Sequence, residues 1–372
     1  MTDKTSDNNP LFHHRQLAPA AAVRVSPLCL GTMTFGGRQQ GRYGDCTRED
    51  AFALLDHFYE QGGNFLDTAS GYQEGESEVL VGEWMAARQN RDQIVLATKY
   101  TGAYMTHHRD RIQSNYGGNN AKSMKVSVEA SLQKLQTSYI DLLYLMHALN
   151  DLVVAGKVIY LGISDTPAWV VTKANQYARD HGLRPFAVYQ GMWNAAMRDF
   201  EREIIPMARE EGMALCPYGV LNQGRFQTRQ GFQERDKHNP GRKFIPTSEH
   251  DKKVSAVLED ISIAKGAEIV SVALAYVMQK APYVFPIIGG RKVDHLKGSV
   301  AGLGVALSDE DIQKIESAYP FDFGFPHTFL SGSMFDNSTP RMADKPGDVW
   351  LTKNLGTFDW VEPPKPIRPF QQ

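Results

Sequence analysis

The sequence predicts a (β/α)8 TIM barrel, a closed parallel sheet ringed by helices, on three observations. Short apolar runs alternate with amphipathic stretches eight times along the chain. The runs are apolar throughout rather than at every second residue, as in strands covered on both faces. The 372 residues show no composition break, and such a barrel takes about 250 residues plus insertions as one domain.

Strands are expected at 26–30, 64–67, 94–99, 141–145, 158–163, 186–190, 214–217 and 284–287. The helical patterns between them cover 48–61, 76–88, 122–135, 146–155, 168–180, 200–211, 252–265 and 293–303. The fourth strand-to-helix junction is shortened: strand passes into helix with almost no loop, where about 2–6 residues are usual. An N-terminal extension is expected over 1–19, the barrel over 20–330 and a C-terminal extension over 331–372. Residues 222–250 are polar and rich in Gly and charge, the composition of a long loop over the active-site face. From Pro320 the chain is Pro, Gly and aromatic rich, and 361–372 is expected to be extended or mobile.

Hydrophobic residues make up 42%, enough for a large core. Forty basic against 42 acidic side chains leave a net charge of −2, no footprint for nucleic acid or an anionic membrane. Cys29, Cys46 and Cys216 are an odd, sparse set without a CxxC pair, which argues against a disulfide framework. The first 16 residues lack the apolar core of a secretory signal. No apolar run approaches the roughly 20 residues of a spanning helix. A cytoplasmic location is expected.

Barrel chemistry comes from the C-terminal ends of strands. The second strand ends at Asp67 and is followed by Thr68-Ala69-Ser70-Gly71-Tyr72; the third ends at Lys99. A carboxylate, a phenol and an ammonium thus meet at one rim. A phenol with a pKa near 10 is a reluctant acid at neutral pH. A nearby Lys99 cation favours the phenolate, so a lowered Tyr72 pKa is expected, with Asp67 holding the lysine charged and oriented. Each residue alone is unremarkable; their joint placement at adjacent strand ends is specific.

The string GGNFLDTASGYQEGESEVLVGEW, with ATKYT and YLGISDTPAW, resembles the aldo-keto reductase superfamily. RDFEREIIPMA, APYVFPIIGGRKVDHLK and PFDFGFP resemble its fungal aryl-alcohol dehydrogenase and norsolorinic acid reductase branch, and the resemblance covers roughly 20–330. It implies an NADP(H) cofactor, Tyr72 as proton donor, and Asp67 and Lys99 as its partners.

The resemblance also implies the cofactor residues. Gly31, Thr32 and Met33 let backbone approach the nicotinamide, Ser164, Asp165 and Gln190 form the carboxamide-binding group, and Tyr218 stacks on the ring or caps the core. Asp165 stands where many relatives carry Asn. Gly219, Val220, Leu221, Gln223, Gly224 and Arg225 would follow the pyrophosphate. Ile288, Gly289, Gly290, Arg291 and Lys292 open the eighth helix, with His295 and Ser299 further along it. The Arg291–Lys292 pair suits a 2′-phosphate, which favours NADP over NAD; the alternative is solvated charge at a helix start. No G-x-G-x-x-G follows a strand, which argues against a Rossmann fold.

The family places a substrate-orienting histidine at the end of the fourth strand. His147 is the candidate, yet spacing puts it in the first turn of the following helix. Relatives carry a longer loop before this helix, so about a dozen residues are missing here by resemblance. His107 and His108, after the third strand, either touch substrate or lie in a solvated loop; Trp193 and Asn194 either line the substrate mouth or pack. No cluster has metal-ligand spacing, and no G-x-S-x-G elbow marks a serine hydrolase.

The expected function is NADP(H)-dependent interconversion of an aryl or polyketide-type aldehyde or ketone and its alcohol, in fungal secondary metabolism. The alternative is an NADP(H)-binding pseudoenzyme or redox-sensing scaffold. The oligomeric state stays open.

Overall fold

The structure, a computed structural model, describes residues 9–108, 110–144, 150–238, 246–336, 338–353 and 355–369. It begins with an antiparallel hairpin, β1 (Arg15–Ala18) and β2 (Ala21–Val25), which sequence periodicity did not reveal. Its buried Leu17, Ala18, Ala21 and Val25 pack against Phe65, Val95, Val188 and Ala214, the first residues of four barrel strands. The hairpin therefore floors the N-terminal end of the barrel and leaves the C-terminal rim for function. It also runs across the expected boundary between residues 19 and 20.

Eight parallel strands follow: β3 (Cys29–Gly31), β4 (Phe65–Asp67), β5 (Val95–Lys99), β6 (Ile140–Tyr144), β7 (Val158–Ser164), β8 (Val188–Met192), β9 (Ala214–Tyr218) and β10 (Ile287–Ile288). Their order is β10-β3-β4-β5-β6-β7-β8-β9, a nearly closed (β/α)8 barrel. The remaining gap is spanned by the Leu215–Val284 bridge, with Phe285 N donating to Leu215 O at 2.8 Å. The last strand is shorter than the expected 284–287 because Pro286 has no N–H to give the ladder; its carbonyl accepts from Cys29 N at 3.0 Å. The expected 186–190 shifts to Val188–Met192 because Asn175 Oδ1 takes the Phe186 N–H at 2.8 Å, outside the sheet.

The helices Arg48–Glu60, Glu76–Arg88, Ala121–Lys134, Ala168–Asp180, Ile204–Glu210 and Val293–Ala301 lie within two residues of expectation, except the start of Ile204–Glu210. A 3-10 turn, Asp199–Glu201, takes up the chain before that helix. Arg48–Glu60 begins at a capping box, with Thr47 and Asp50 each satisfying the other's backbone N–H. Ser248 and Asp251 do the same for Glu249–Lys265, which starts three residues before the expected 252. The fourth helix is described as Asn150–Val154; the start of the expected 146–155 lies outside the described residues.

The helix Ile269–Lys280 was not expected. Its sequence IVSVALAYVMQK is apolar on all sides and buried accordingly, so no amphipathic period marks it. The polar 222–250 stretch is not a simple loop. It holds the turn Asn222–Gly224 and the helix Arg229–His238, anchored by Arg229 to Glu259 and Asp260 at 2.9 Å each. Beyond Pro320 come the short helices His327–Leu330, Ser333–Asp336 and Trp350–Lys353. Arg209–Asp344 ties this segment to the barrel helix Ile204–Glu210 and Arg368–Asp309 ties it to the start of a further helix, Asp309–Ser317, both at 2.8 Å. Among the described residues no single helix is long and apolar enough to cross a membrane.

Candidate active site

Strand register builds the centre of the site. Asp67 pairs with Ala97, so Lys99 lies two residues further along β5 and projects to the same face. Its Nζ donates to Asp67 Oδ1 at 2.6 Å and to Thr68 O at 2.9 Å. The other carboxylate oxygen, Oδ2, accepts from Gln190 Nε2 on β8 at 2.9 Å. Asp67 is 2% exposed, so its two oxygens are fully committed inside the barrel.

Tyr72 reaches this pair through a strained turn. Thr68 N and Ser70 N donate to Ala97 O and Lys99 O at 2.9 and 3.0 Å, which carries the chain along β5 before it turns. Gln73, Glu74 and Gly75 then take φ of 49°, 57° and 93°, three successive left-handed residues. The Lys99 ammonium lies 5.1 Å from the Tyr72 ring centroid, close enough for its charge to act on the phenol. A phenol, an ammonium and a carboxylate are thus gathered in one group, with the ammonium bonded to the carboxylate and beside the phenol ring.

The charges behave differently from expectation on one point. Burial pushes the Tyr72 pKa up, Lys99 pulls it down and Asp67 pushes it up; the net direction is upward, not the expected lowering. Lys99 acts in the expected sense, but its charge is shared with Asp67 and desolvation outweighs it. Burial pulls the Lys99 pKa down, yet Asp67 and Tyr72 more than reverse this and hold the ammonium above its ordinary value.

Along the rim, Ser164 Oγ donates to Asp165 Oδ2 at 2.7 Å and Tyr218 OH to Asp165 Oδ1 at 2.9 Å. Asp165 has φ 50°, which turns the chain sharply after β7. Tyr218 is half-buried at the end of β9, and burial followed by Asp165 raises its pKa. Gly219 begins a turn in which Gly219, Asn222, Gln223 and Gly224 all have positive φ, with Val220 buried and Leu221 half-buried. Arg225 is 5% exposed, bonds Asn222 and pairs with Asp251 at 3.3 Å, so its charge is committed within the protein.

On the opposite side, Gly31 ends β3 and Thr32 is buried, its Oγ1 2.8 Å from Ser77 Oγ. Met33 is half-buried and its carbonyl accepts from Gln73 at 3.4 Å. Ile288 is buried in β10; Gly289 is exposed, Gly290 and Arg291 are half-buried, and Lys292 is exposed. His295 Nδ1 accepts from Arg291 N at 3.4 Å, whereas Ser299 is buried and its hydroxyl donates to His295 O at 3.2 Å. His147 lies outside the described residues.

Two features were missed in the sequence. Tyr144, the last residue of β6, registers with Lys99 and puts its ring centroid 5.5 Å from Nζ, so the ammonium has aromatic faces on two sides. The signal available was its position at the strand end. Behind the site, Glu78 is fully buried, pairs with Lys134 and accepts from Thr98 Oγ1 at 2.6 Å; Lys134 also reaches Ser70 O at 3.4 Å. Trp193 is fully buried and stacked on Phe200, a packing residue, and Asn194 Nδ2 holds Gly219 O at 3.0 Å. His107 packs against His108, its Nδ1 4.0 Å from Glu74.

A barrel with this group at its C-terminal rim has counterparts of known class. The aldo/keto reductase family model matches residues 27–320, and the chain belongs to that family. It is 64% identical to norsolorinic acid reductase B of Dothistroma septosporum (strain NZE10 / CBS 128990), covering 100% of this chain and 98% of the relative. Norsolorinic acid reductase B of Aspergillus parasiticus (strain ATCC 56775 / NRRL 5862 / SRRC 143 / SU-1) is also 64% identical, over 96% of this chain and 98% of its own length. The aryl-alcohol dehydrogenase [NADP(+)] of Phanerodontia chrysosporium is 46% identical, over 91% and 94%. The chain is therefore an oxidoreductase of the aldo/keto reductase family, a class that takes small carbonyl or alcohol substrates and a nicotinamide cofactor.

Proposed function

We propose that the protein is an NADP(H)-dependent reductase of an aromatic or polyketide-type aldehyde or ketone, working reversibly with the alcohol, in the cytoplasm and in fungal secondary metabolism. The observation that carries this is the Asp67–Lys99–Tyr72 group at the barrel rim. The two 64% identical norsolorinic acid reductases support the substrate class.

The rim residues fit a dinucleotide. Ser164, Asp165 and Gln190 offer hydroxyl, carboxylate and amide groups for a carboxamide, and the half-buried Tyr218 offers a ring face. At the other end, neither Arg291 nor Lys292 forms a salt bridge to a described residue, as befits cations reserved for a phosphate. The named cofactor of the Phanerodontia relative points the same way. When bound, the cofactor supplies the hydride that reduces the carbonyl carbon.

The chain's own part is proton delivery. Tyr72 donates its hydroxyl proton to the carbonyl oxygen, and Lys99 stabilises the phenolate left behind. Asp67 fixes the ammonium within reach of Tyr72, while Gln190 fixes Asp67. Oxidation of the alcohol runs the same transfer backwards, with the phenolate taking the proton.

A second reading, a cofactor-binding scaffold with little turnover, draws on one observation. The chain has five positions, 145–149, between β6 and the part of the fourth helix described from Asn150, which leaves no room for a long loop. The alignment with the Dothistroma relative runs over 383 positions, more than this chain's 372 residues, so that relative carries residues this chain lacks. Steady-state assays with NADPH and a panel of aryl aldehydes and quinonoid ketones separate the two. Carbonyl-dependent NADPH oxidation is expected; cofactor binding without turnover across the panel would favour the scaffold.

A further inference from the structure

The segment from Gly36 to Cys46 follows β3 and lies outside the Asp67–Lys99–Tyr72 group. It is closed on itself by Gly36 N donating to Cys46 O at 3.1 Å. It is also fastened to the turn that carries Tyr72: Glu76 Oε2 accepts from Gly37 N at 2.9 Å and from Arg38 N at 3.3 Å, and Gln73 Oε1 accepts from Gln39 N at 2.8 Å. Just before it, Thr34 Oγ1 donates to Gly290 O at 3.1 Å. The segment thus links the catalytic turn to the start of the Arg291–Lys292 pair.

Gly44 lies in this segment with φ 77° and ψ 176°, a conformation essentially reserved for glycine. A Cβ built there would fall 1.8 Å from Arg291 Nη1 and 2.7 Å from Cζ. The tip of Arg291 therefore occupies the volume that any side chain at 44 would need. Asp45, next to Gly44 in sequence, accepts from Gln40 Nε2 at 3.0 Å, Asp294 pairs with Lys297 at 2.9 Å, and Arg291 forms no salt bridge to a described residue. The positive field reaches its neighbours: His295 is lowered first by burial and then by Arg291 and Lys292, with Asp294 opposing.

We propose that Gly44 is a specificity-determining residue for the nucleotide, the bare backbone seat that holds Arg291 ready for a ribose 2′-phosphate. This rests on the NADP(H) reading above. A free arginine tip loses rotamer freedom when it grips a phosphate, so a wall that fixes it beforehand favours the phosphorylated nucleotide. The seat is held in place because residues 37–39 are bonded to Glu76 and Gln73, and the Gly36–Cys46 and Gly44–Gln40 backbone bonds fold the rest of the segment onto them.

The test uses the full-length protein and two probes, adenosine 2′,5′-bisphosphate and adenosine 5′-monophosphate, titrated calorimetrically. Wild-type protein should prefer the bisphosphate by at least about tenfold, as expected of a charge-assisted contact. Gly44→Ala should lose most of that preference while keeping its affinity for the monophosphate, which reports an intact nucleotide site. Arg291→Ala should lose it as well, and the double variant should be no worse than Arg291→Ala alone. If Gly44→Ala keeps the wild-type preference while Arg291→Ala loses it, the seat is refuted and the cofactor reading stands. If Arg291→Ala also keeps it, the phosphate reading falls, and the seat with it.

Discussion

Asp67 and Lys99 meet across β4 and β5 at 2.6 Å, in a geometry fixed at its other end by Gln190. The pair sits under the Tyr72 side chain, and both the phenol and the ammonium are displaced upward in pKa. The phenol therefore stays protonated through neutral pH and beyond its ordinary value of 10. Carbonyl reduction is expected to be flat from about pH 6 to 9 and to fall only in alkali, whereas alcohol oxidation, which needs the phenolate, rises with pH across that range. Initial rates in both directions check this; a reduction limb that falls near neutrality would contradict it.

The Glu78–Lys134 pair ties the Glu76–Arg88 helix to Ala121–Lys134 and to the carbonyl of Ser70, two residues before Tyr72. Lys134→Met leaves a fully buried carboxylate without its cation and is expected to cost about 3–5 kcal/mol in urea unfolding. Glu78→Leu/Lys134→Met should recover most of that loss. Equal stability of the single variant and wild type would show that the pair carries no structural role.

Leu17, in the floor hairpin, is fully buried against the strand starts. Leu17→Ala should destabilise the protein by about 2–5 kcal/mol, the cost of a core cavity. A loss below about 0.5 kcal/mol, typical of a surface change, would mean that the hairpin is an appendage rather than the barrel floor.

Asp165→Asn keeps an acceptor for the Tyr218 hydroxyl and adds an amide donor at the rim. If this rim holds the nicotinamide carboxamide, the extra bond should tighten cofactor binding by about 0.5–1.5 kcal/mol, read as a lower Kd by fluorescence titration. Weaker binding would place the carboxamide elsewhere.

Much of this was legible because the barrel writes its chemistry at strand ends. Asp67 and Lys99 close β4 and β5, and Gln190 stands two residues before the end of β8, so reading the apolar runs located the group. Ile269–Lys280 escaped because a helix buried on all sides has no polar face to give it a period. The hairpin at 15–25 escaped because its short strands place only a few residues in the core. The direction of the Tyr72 shift escaped for a different reason. Sequence shows which charges are neighbours, but not how much water they lose, and here desolvation outweighs the lysine. Arg225 likewise reads as a free cation until its buried partner Asp251 comes into view from 26 residues further on.

The most direct measurement is NADPH oxidation by Tyr72→Phe with an aromatic aldehyde, alongside cofactor binding by fluorescence. The variant keeps the ring beside Lys99 and loses only the proton that the account makes essential. A fall in kcat of about 10²–10⁴-fold with an unchanged cofactor Kd is the predicted result. Turnover equal to that of the wild-type protein would contradict it and remove the Asp67–Lys99–Tyr72 group from the chemistry.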